Sequence, residues 1–188
     1  MKKKLLNIAV FLLLLFGVVG GTAAYYTNQG TVTNVIMAGN IKVDLHIWGD
    51  LAMTEKFVSP EGISPNQDIV QVVAAENVGD NEAWIRIKVD KRFEPAEGVD
   101  KEAAQAQLSR VKMNIDRQNW LEKDGWYYYK GKLAAGEVTA PLFTTVTLEE
   151  KIDDNWQNGK LAIVVTLHAV QAANDRANVL QAEGWPNA

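Results

Sequence analysis

Apolar and polar residues alternate along most of the chain from residue 41 onward. The alternation is clearest in segments 41–47, 84–89 and 161–168, where apolar side chains occupy every second position. A period of two sends successive side chains to opposite faces of a β-strand, so the pattern predicts strands with one buried face. In 161–168 both sets of positions are largely apolar, which predicts a strand in the middle of a packed sheet.

Turn-forming residues divide the alternating segments into about eight predicted strands. The strongest turn signal is Lys123-Asp124-Gly125, within a predicted hairpin over 120–129. Residues 100–109 depart from the alternation: Asp100 is a suitable N-cap and helix-forming residues follow it, which predicts one short helix. The predicted fold class is therefore all-β, a two-sheet sandwich or jelly roll with one helical insertion.

The first 24 residues have the pattern of an export signal. Three lysines precede an apolar run of 15 residues, 5–19, which is shorter than the ~20 residues that a spanning helix needs. Small residues at Thr22-Ala23-Ala24 predict cleavage between Ala24 and Tyr25. The alternative is an uncleaved anchor that extends through Ala24.

Composition narrows the class of the exported protein. The chain has 188 residues and a net charge of −4, so removal of the three leading lysines leaves a charge of −7. An acidic domain without a Lys/Arg cluster is a poor candidate for a nucleic-acid partner. The chain has no Cys, so its core must hold the fold without disulfides. We divide the exported part into an N-terminal segment (25–37), a domain (38–173) and a partly loose tail with a helical turn (174–188).

The segment 25–37 is polar and rich in residues that favour extended backbone, and it has no hairpin partner in the local sequence. A free strand ahead of a sandwich is suited to adding to the sheet edge of a neighbouring copy. Such addition runs head to tail and therefore propagates into a filament. The alternative is a strand that pairs within its own sheet, and both pairings are compatible if they belong to monomer and fibre. The residues that we assign to the donor strand are Tyr25, Tyr26, Thr31, Val32, Thr33, Val35 and Ile36.

Several segments together carry a family resemblance: GGTAAYYT (20–27), AGNIKVDL (38–45), ISPNQD (63–68), ENVG (76–79) and the strand from Gly159 to Ala172. In this order they resemble the TasA/camelysin family of exported fibre proteins, which form biofilm-matrix filaments in Gram-positive bacteria. The resemblance covers most of the chain but little of residues 95–158.

The resemblance implies a jelly-roll fold and a secreted, non-enzymatic structural subunit. It implies processing by a SipW-type signal peptidase, and insertion of the mature N-terminus into the next subunit by donor-strand exchange. The implied partner is the protein itself, as a head-to-tail homopolymer with other matrix components around it. The implied location is extracellular or at the cell surface, with no membrane attachment after cleavage.

Catalytic chemistry has little support in the sequence, although some members of this family carry a metallo-endopeptidase label. Zinc peptidases need closely spaced His ligands and a Glu base, whereas His46 and His168 lie far apart in predicted strands. Asp153-Asp154-Asn155 resembles a solvated turn more than a calcium loop. We therefore predict no catalytic residue, no metal and no cofactor, and keep a metallo-endopeptidase as an alternative.

Aromatic residues cluster at 126–129. Alternation sends Trp126 and Tyr128 to one face, where they could form a stacking platform for sugar rings, and Tyr127 and Tyr129 to the other. Packing within the sheet is the other interpretation. A monomeric carbohydrate- or protein-binding sandwich at the cell surface is accordingly the first alternative to a fibre subunit.

Overall fold

The computed structural model describes residues 27–38, 41–172 and 178–186. The predicted signal peptide, the cleavage site at Ala24 and Tyr25, and Tyr26 lie outside these residues. Nine β-strands form within the described part: β1 (Thr27–Ala38), β2 (Val43–Trp48), β3 (Asp68–Asn77), β4 (Ala83–Glu94), β5 (Val111–Met113), β6 (Trp120–Lys123), β7 (Trp126–Tyr129), β8 (Phe143–Leu148) and β9 (Lys160–Gln171).

The strands form two sheets, as the alternation predicts. One sheet has the order β1-β9-β4-β7-β6 and the other the order β2-β3-β8-β5. The strand β9 lies between β1 and β4, which confirms its predicted place inside a sheet. Its inward residues face the space between the sheets, and on its outward face Val164, His168 and Val170 are also buried.

One short helix, α1 (Lys101–Ala106), confirms the predicted insertion. The Asp100 carboxylate caps it by accepting hydrogen bonds from the backbone N–H groups of Glu102 and Ala103, at 2.8 and 3.2 Å. A 3₁₀ turn, Gln107–Arg110, follows the helix. No helix in the described part of the chain is long and apolar enough to cross a membrane.

The predicted hairpin is present as β6 and β7, which pair antiparallel from Trp120 opposite Tyr129 to Lys123 opposite Trp126. Asp124 and Gly125 form the two-residue turn with φ of 52° and 77°. Two positive φ angles match the right-handed twist of the flanking strands, which is why Asp-Gly is favoured there.

The main core fills the space between the two sheets. At one end of it the Phe93 and Trp156 rings stack with centroids 3.9 Å apart. The Trp156 indole N–H donates to the Ala104 carbonyl at 2.9 Å, which ties α1 to this stack. Gly159 lies against the Phe93 ring so closely that an added Cβ would come within 2.1 Å of it.

A second, smaller cluster lies on the outer face of the five-stranded sheet. The predicted helical turn of the tail is present as a 3₁₀ turn, Val179–Gln181, and Val179 is buried there. In the described stretch 178–186, Val179, Ala182 and Trp185 pack on the sheet. We call this stretch the C-terminal strap.

Candidate functional site: the strand slot beside β9

The strand β1 occupies the outer edge of the five-stranded sheet and pairs with β9 in parallel. The pairing runs without interruption from Thr31 opposite Ile163 to Ala38 opposite Val170. Before this stretch the register shifts between Asn28 and Thr31. The segment assigned to the donor strand thus lies, in its described part, on the edge of its own sheet.

The described side chains of β1, those of residues 33–37, are poorly covered on both faces. Residues 33–37 are all exposed, and the exposed fractions of Val35, Ile36 and Met37 are 39, 42 and 46%. By contrast, the inward residues of the neighbouring β9 are almost completely buried. This part of β1 is therefore held mainly by its backbone ladder and contributes little to the core.

The other sheet edges are short or covered. At the far edge of the same sheet, β6 has four residues and carries Glu122 and Lys123. In the second sheet, β5 has three residues; β2 has six, and a returning chain at residues 55–57 covers the C-terminal end of its edge. Removal of β1 would expose one side of β9, a strand of 12 residues. Among the described strands, β9 would then offer the longest free edge.

The C-terminal strap covers the outer face of the same sheet through a cation–π sandwich. The Arg86 guanidinium lies 4.1 Å from the centroid of the Trp126 ring and 4.7 Å from that of Trp185 in the strap. Its Nη2 donates to the Pro186 carbonyl at 2.8 Å. Arg86 is 9% exposed, and the rings and the carbonyl replace part of the water that the charge loses.

His168 completes this cluster from β9. Its Nδ1 accepts a hydrogen bond from Arg86 Nη2 at 3.0 Å, which places the proton of the neutral ring on Nε2. Burial, and next the charge of Arg86, lower the pKa of His168 to about 4. We call the position beside β9 that β1 occupies the strand slot. Ile36 of β1 is the register partner of His168, so this neutral imidazole lies directly beside the strand slot.

The two histidines do not come together. His46 lies on β2 of the other sheet, where its Nε2 is 2.6 Å from Glu76 Oε2. Within the described residues, no group of three His, Cys, Asp or Glu side chains is arranged to hold a metal ion. The Asp153 carboxylate caps the 3₁₀ turn Asp154–Trp156 by accepting from the Asn155 N–H at 2.9 Å.

Trp126 and Tyr128 share one face, and Tyr127 and Tyr129 pack toward the main core, as alternation predicts. The first pair is only 7 and 8% exposed. The Trp185 ring meets Tyr128 edge to face with centroids 5.8 Å apart. In this arrangement the strap occupies the face that a sugar ring would need.

The sequence did not single out Arg86, Trp185 or Trp48. In the sequence, Arg86 has the position of an ordinary outward residue of an alternating strand. It is buried in the structure because the strap, about 100 residues later in the chain, covers it. Comparisons with protein-family models, curated proteins and solved structures found no significant match to this chain.

Proposed function

We propose that the protein is a secreted structural subunit that polymerises into extracellular fibres by donor-strand exchange. The observation that supports this most is the position of β1: a 12-residue strand that pairs only with β9 and whose residues 33–37 are all exposed. The resemblance to the TasA/camelysin fibre proteins points in the same direction. In a fibre, the segment 25–37 of one subunit occupies the slot beside β9 in the next.

The energetics of the slot suit exchange. A neighbour's strand in the slot makes the same ladder that β1 makes in its own subunit, so the swap conserves most contacts. Parallel pairing is slightly weaker per residue than antiparallel pairing, and the exposed Val35 and Met37 give β1 little apolar burial to lose. High subunit concentration then favours the pairing between copies.

The strand order also supports the finer assignment of a jelly roll. The consecutive strands β3, β4 and β5 alternate between the two sheets, and so do β7, β8 and β9. Within the sheets, β4 lies between β9 and β7, and β8 lies between β3 and β5. This order is the one expected of a double Greek key. The strand β1 completes the first set at its open edge.

Deletion of residues 25–36 from the mature protein tests the proposal. The variant should remain a folded monomer by circular dichroism and sedimentation, because the core strands from β2 onward keep their buried faces. It should form no filaments in negative-stain electron microscopy under conditions in which the mature protein does. Ordinary filaments from this variant would contradict donor-strand exchange.

A matched pair of point variants separates the backbone ladder from the side chain. Val35→Pro and Val35→Ala both remove the exposed valine side chain, but only Pro also removes a backbone N–H. Assembly should be slowed more by Pro than by Ala. Equal effects would indicate that β1 does not act as a paired strand in the fibre.

A further inference from the structure

A cleft of about 620 Å³ opens at the β2 edge of the four-stranded sheet. Its lining combines aromatic side chains with hydroxyl groups and a cation: His46, Trp48, Thr54, Lys56, Phe57 and Ser59 are among the lining residues. The volume lies within the range of about 300–1,000 Å³ that is usual for small-ligand sites. The cleft lies along β2 and the chain that follows it, whereas the strap cluster lies on the outer face of the other sheet.

The aromatic wall of the cleft is fixed from behind. The rings of His46 and Trp48 stack with centroids 4.9 Å apart and planes 10° from parallel. The His46 ring is in turn held by Glu76 at 2.6 Å. One face of the Trp48 indole is thus occupied by a ring that is itself anchored, so the indole has a defined orientation before any ligand arrives.

The opposite wall is a built loop. The Asp50 carboxylate accepts hydrogen bonds from Thr54 N, Thr54 Oγ1 and Glu55 N at 2.8–2.9 Å. These bonds lower the pKa of Asp50, and the bond from the Glu55 backbone has the greatest effect. The loop then returns along β2 as an extra ladder, in which Lys56 is the bridge partner of Trp48. Bridge partners project to the same side of a ladder, so the side chains of Lys56 and Trp48 lie on the same side of it, and both line the cleft.

This returning ladder decides which class of ligand fits. Gly49 N donates to Glu55 O at 2.8 Å, and Phe57 N donates to Ile47 O at 3.0 Å. The backbone edge at the C-terminal end of β2, beside Trp48, is therefore already used, and a peptide strand cannot add to the sheet at that point by main-chain pairing. What the cleft offers is ring faces and side-chain donors and acceptors, which suit a ligand with apolar C–H faces and many hydroxyl groups.

We propose that this cleft, which we call the Trp48 cleft, binds a short segment of polysaccharide. A pyranose ring packs its C–H face on the Trp48 indole, and its hydroxyls exchange hydrogen bonds with Thr54, Lys56 and Ser59 at the rim. The predicted net charge of −7 for the exported chain disfavours a polyanionic glycan, so the expected ligand is a neutral one. The residues proposed to contact the sugar lie on β2 and the chain that follows it, while Thr33 of β1, or of a neighbour's β1 in a fibre, also lines the cleft.

Titration calorimetry of the mature protein tests the site, with three probes: cellohexaose, the hexamer of N-acetylglucosamine and a hexamer of galacturonic acid. At least one neutral probe should bind, and Trp48→Ala should weaken that binding at least tenfold while Trp48→Phe keeps part of it. Leu121→Ala is the matched control, because Leu121 is an exposed apolar residue on β6 of the other sheet. Its affinity should equal that of the unaltered protein.

Three outcomes would overturn the inference. The first is absence of binding by both neutral probes at 10 mM, and the second is equal affinity in Trp48→Ala. The third is binding of a synthetic peptide of residues 27–38 at the cleft, seen as shifts of the Trp48 indole signal in NMR spectra, without any sugar binding. Filaments formed normally by Trp48→Ala would separate this site from the donor-strand mechanism, since that mechanism uses β9.

Discussion

The pH dependence of stability should report on His168, the neutral imidazole under the strap. Its ordinary pKa of 6.5 falls to about 4 in the folded protein because the ring is buried beside Arg86. Between these two values the unfolded chain binds a proton that the folded chain does not bind. The contribution of His168 to the free energy of unfolding should therefore be complete above pH 6.5. It should be lost progressively as the pH decreases toward about 4.

The size of this loss follows from the shift in pKa. Each unit corresponds to about 1.4 kcal/mol, so the shift sets an upper limit on the order of 3 kcal/mol for the loss. Asp50, Asp116 and Asp153 also have lowered pKa values. Their contributions are lost only as the pH falls below about 4, which leaves the window between pH 6.5 and 4 to histidine.

Urea unfolding of the mature protein, followed by tryptophan fluorescence at several pH values in this window, measures the loss. His168→Gln should make the free energy of unfolding less dependent on pH in this window, because an amide can accept a hydrogen bond from Arg86 but does not titrate. His46→Gln is the matched control and should keep the loss that His168 causes. A curve for His168→Gln as steep as that of the unaltered protein would refute the reasoning.

Two further changes test the packing around the two clusters. Gly159→Ala should destabilise the protein by about 2 kcal/mol, since the new methyl group displaces the Phe93 ring from Trp156. In a double-mutant cycle measured by chemical denaturation, Phe93→Leu should relieve part of this loss. Strictly additive effects of the two substitutions would contradict the contact. Trp185→Ala should cost about 1–3 kcal/mol in urea unfolding through lost cation–π contact and burial, and should diminish the near-UV circular dichroism; an unchanged spectrum would mean that the strap is not packed in solution.

Local pattern was sufficient for the elements whose partners are near in sequence. The hairpin at Asp124-Gly125 and the helix capped by Asp100 were predicted because turn and cap chemistry act over a few residues. The double apolar pattern of 161–168 likewise predicted an internal strand, because a strand covered on both faces has no polar side.

Long-range pairing could not be read from the same patterns. Nothing in the sequence of 27–38 indicates that it runs parallel to β9, since the pairing joins segments more than 120 residues apart. The burial of Arg86 depends on the strap, and the Trp48 cleft depends on a chain that folds back to Lys56. In each case a tertiary contact, not local propensity, decides the environment of the residue.

Locking β1 in its own slot tests the central claim most directly. Asn34 and Thr166 are register partners on β1 and β9, and neighbouring strands lie about 4.8 Å apart, a distance that a disulfide can bridge. The chain contains no Cys, so Asn34→Cys with Thr166→Cys introduces a single possible bridge. The double variant with Ser at both positions is the control for the substitutions themselves.

The Cys variant is oxidised as a monomer, and non-reducing electrophoresis and mass spectrometry verify that the bridge is intramolecular. This oxidised variant should form no filaments in electron microscopy. Reduction should restore them, and the Ser control should form filaments under both conditions. Filaments built from subunits that still carry the intramolecular bridge would contradict donor-strand exchange, because their β1 could not have left the slot.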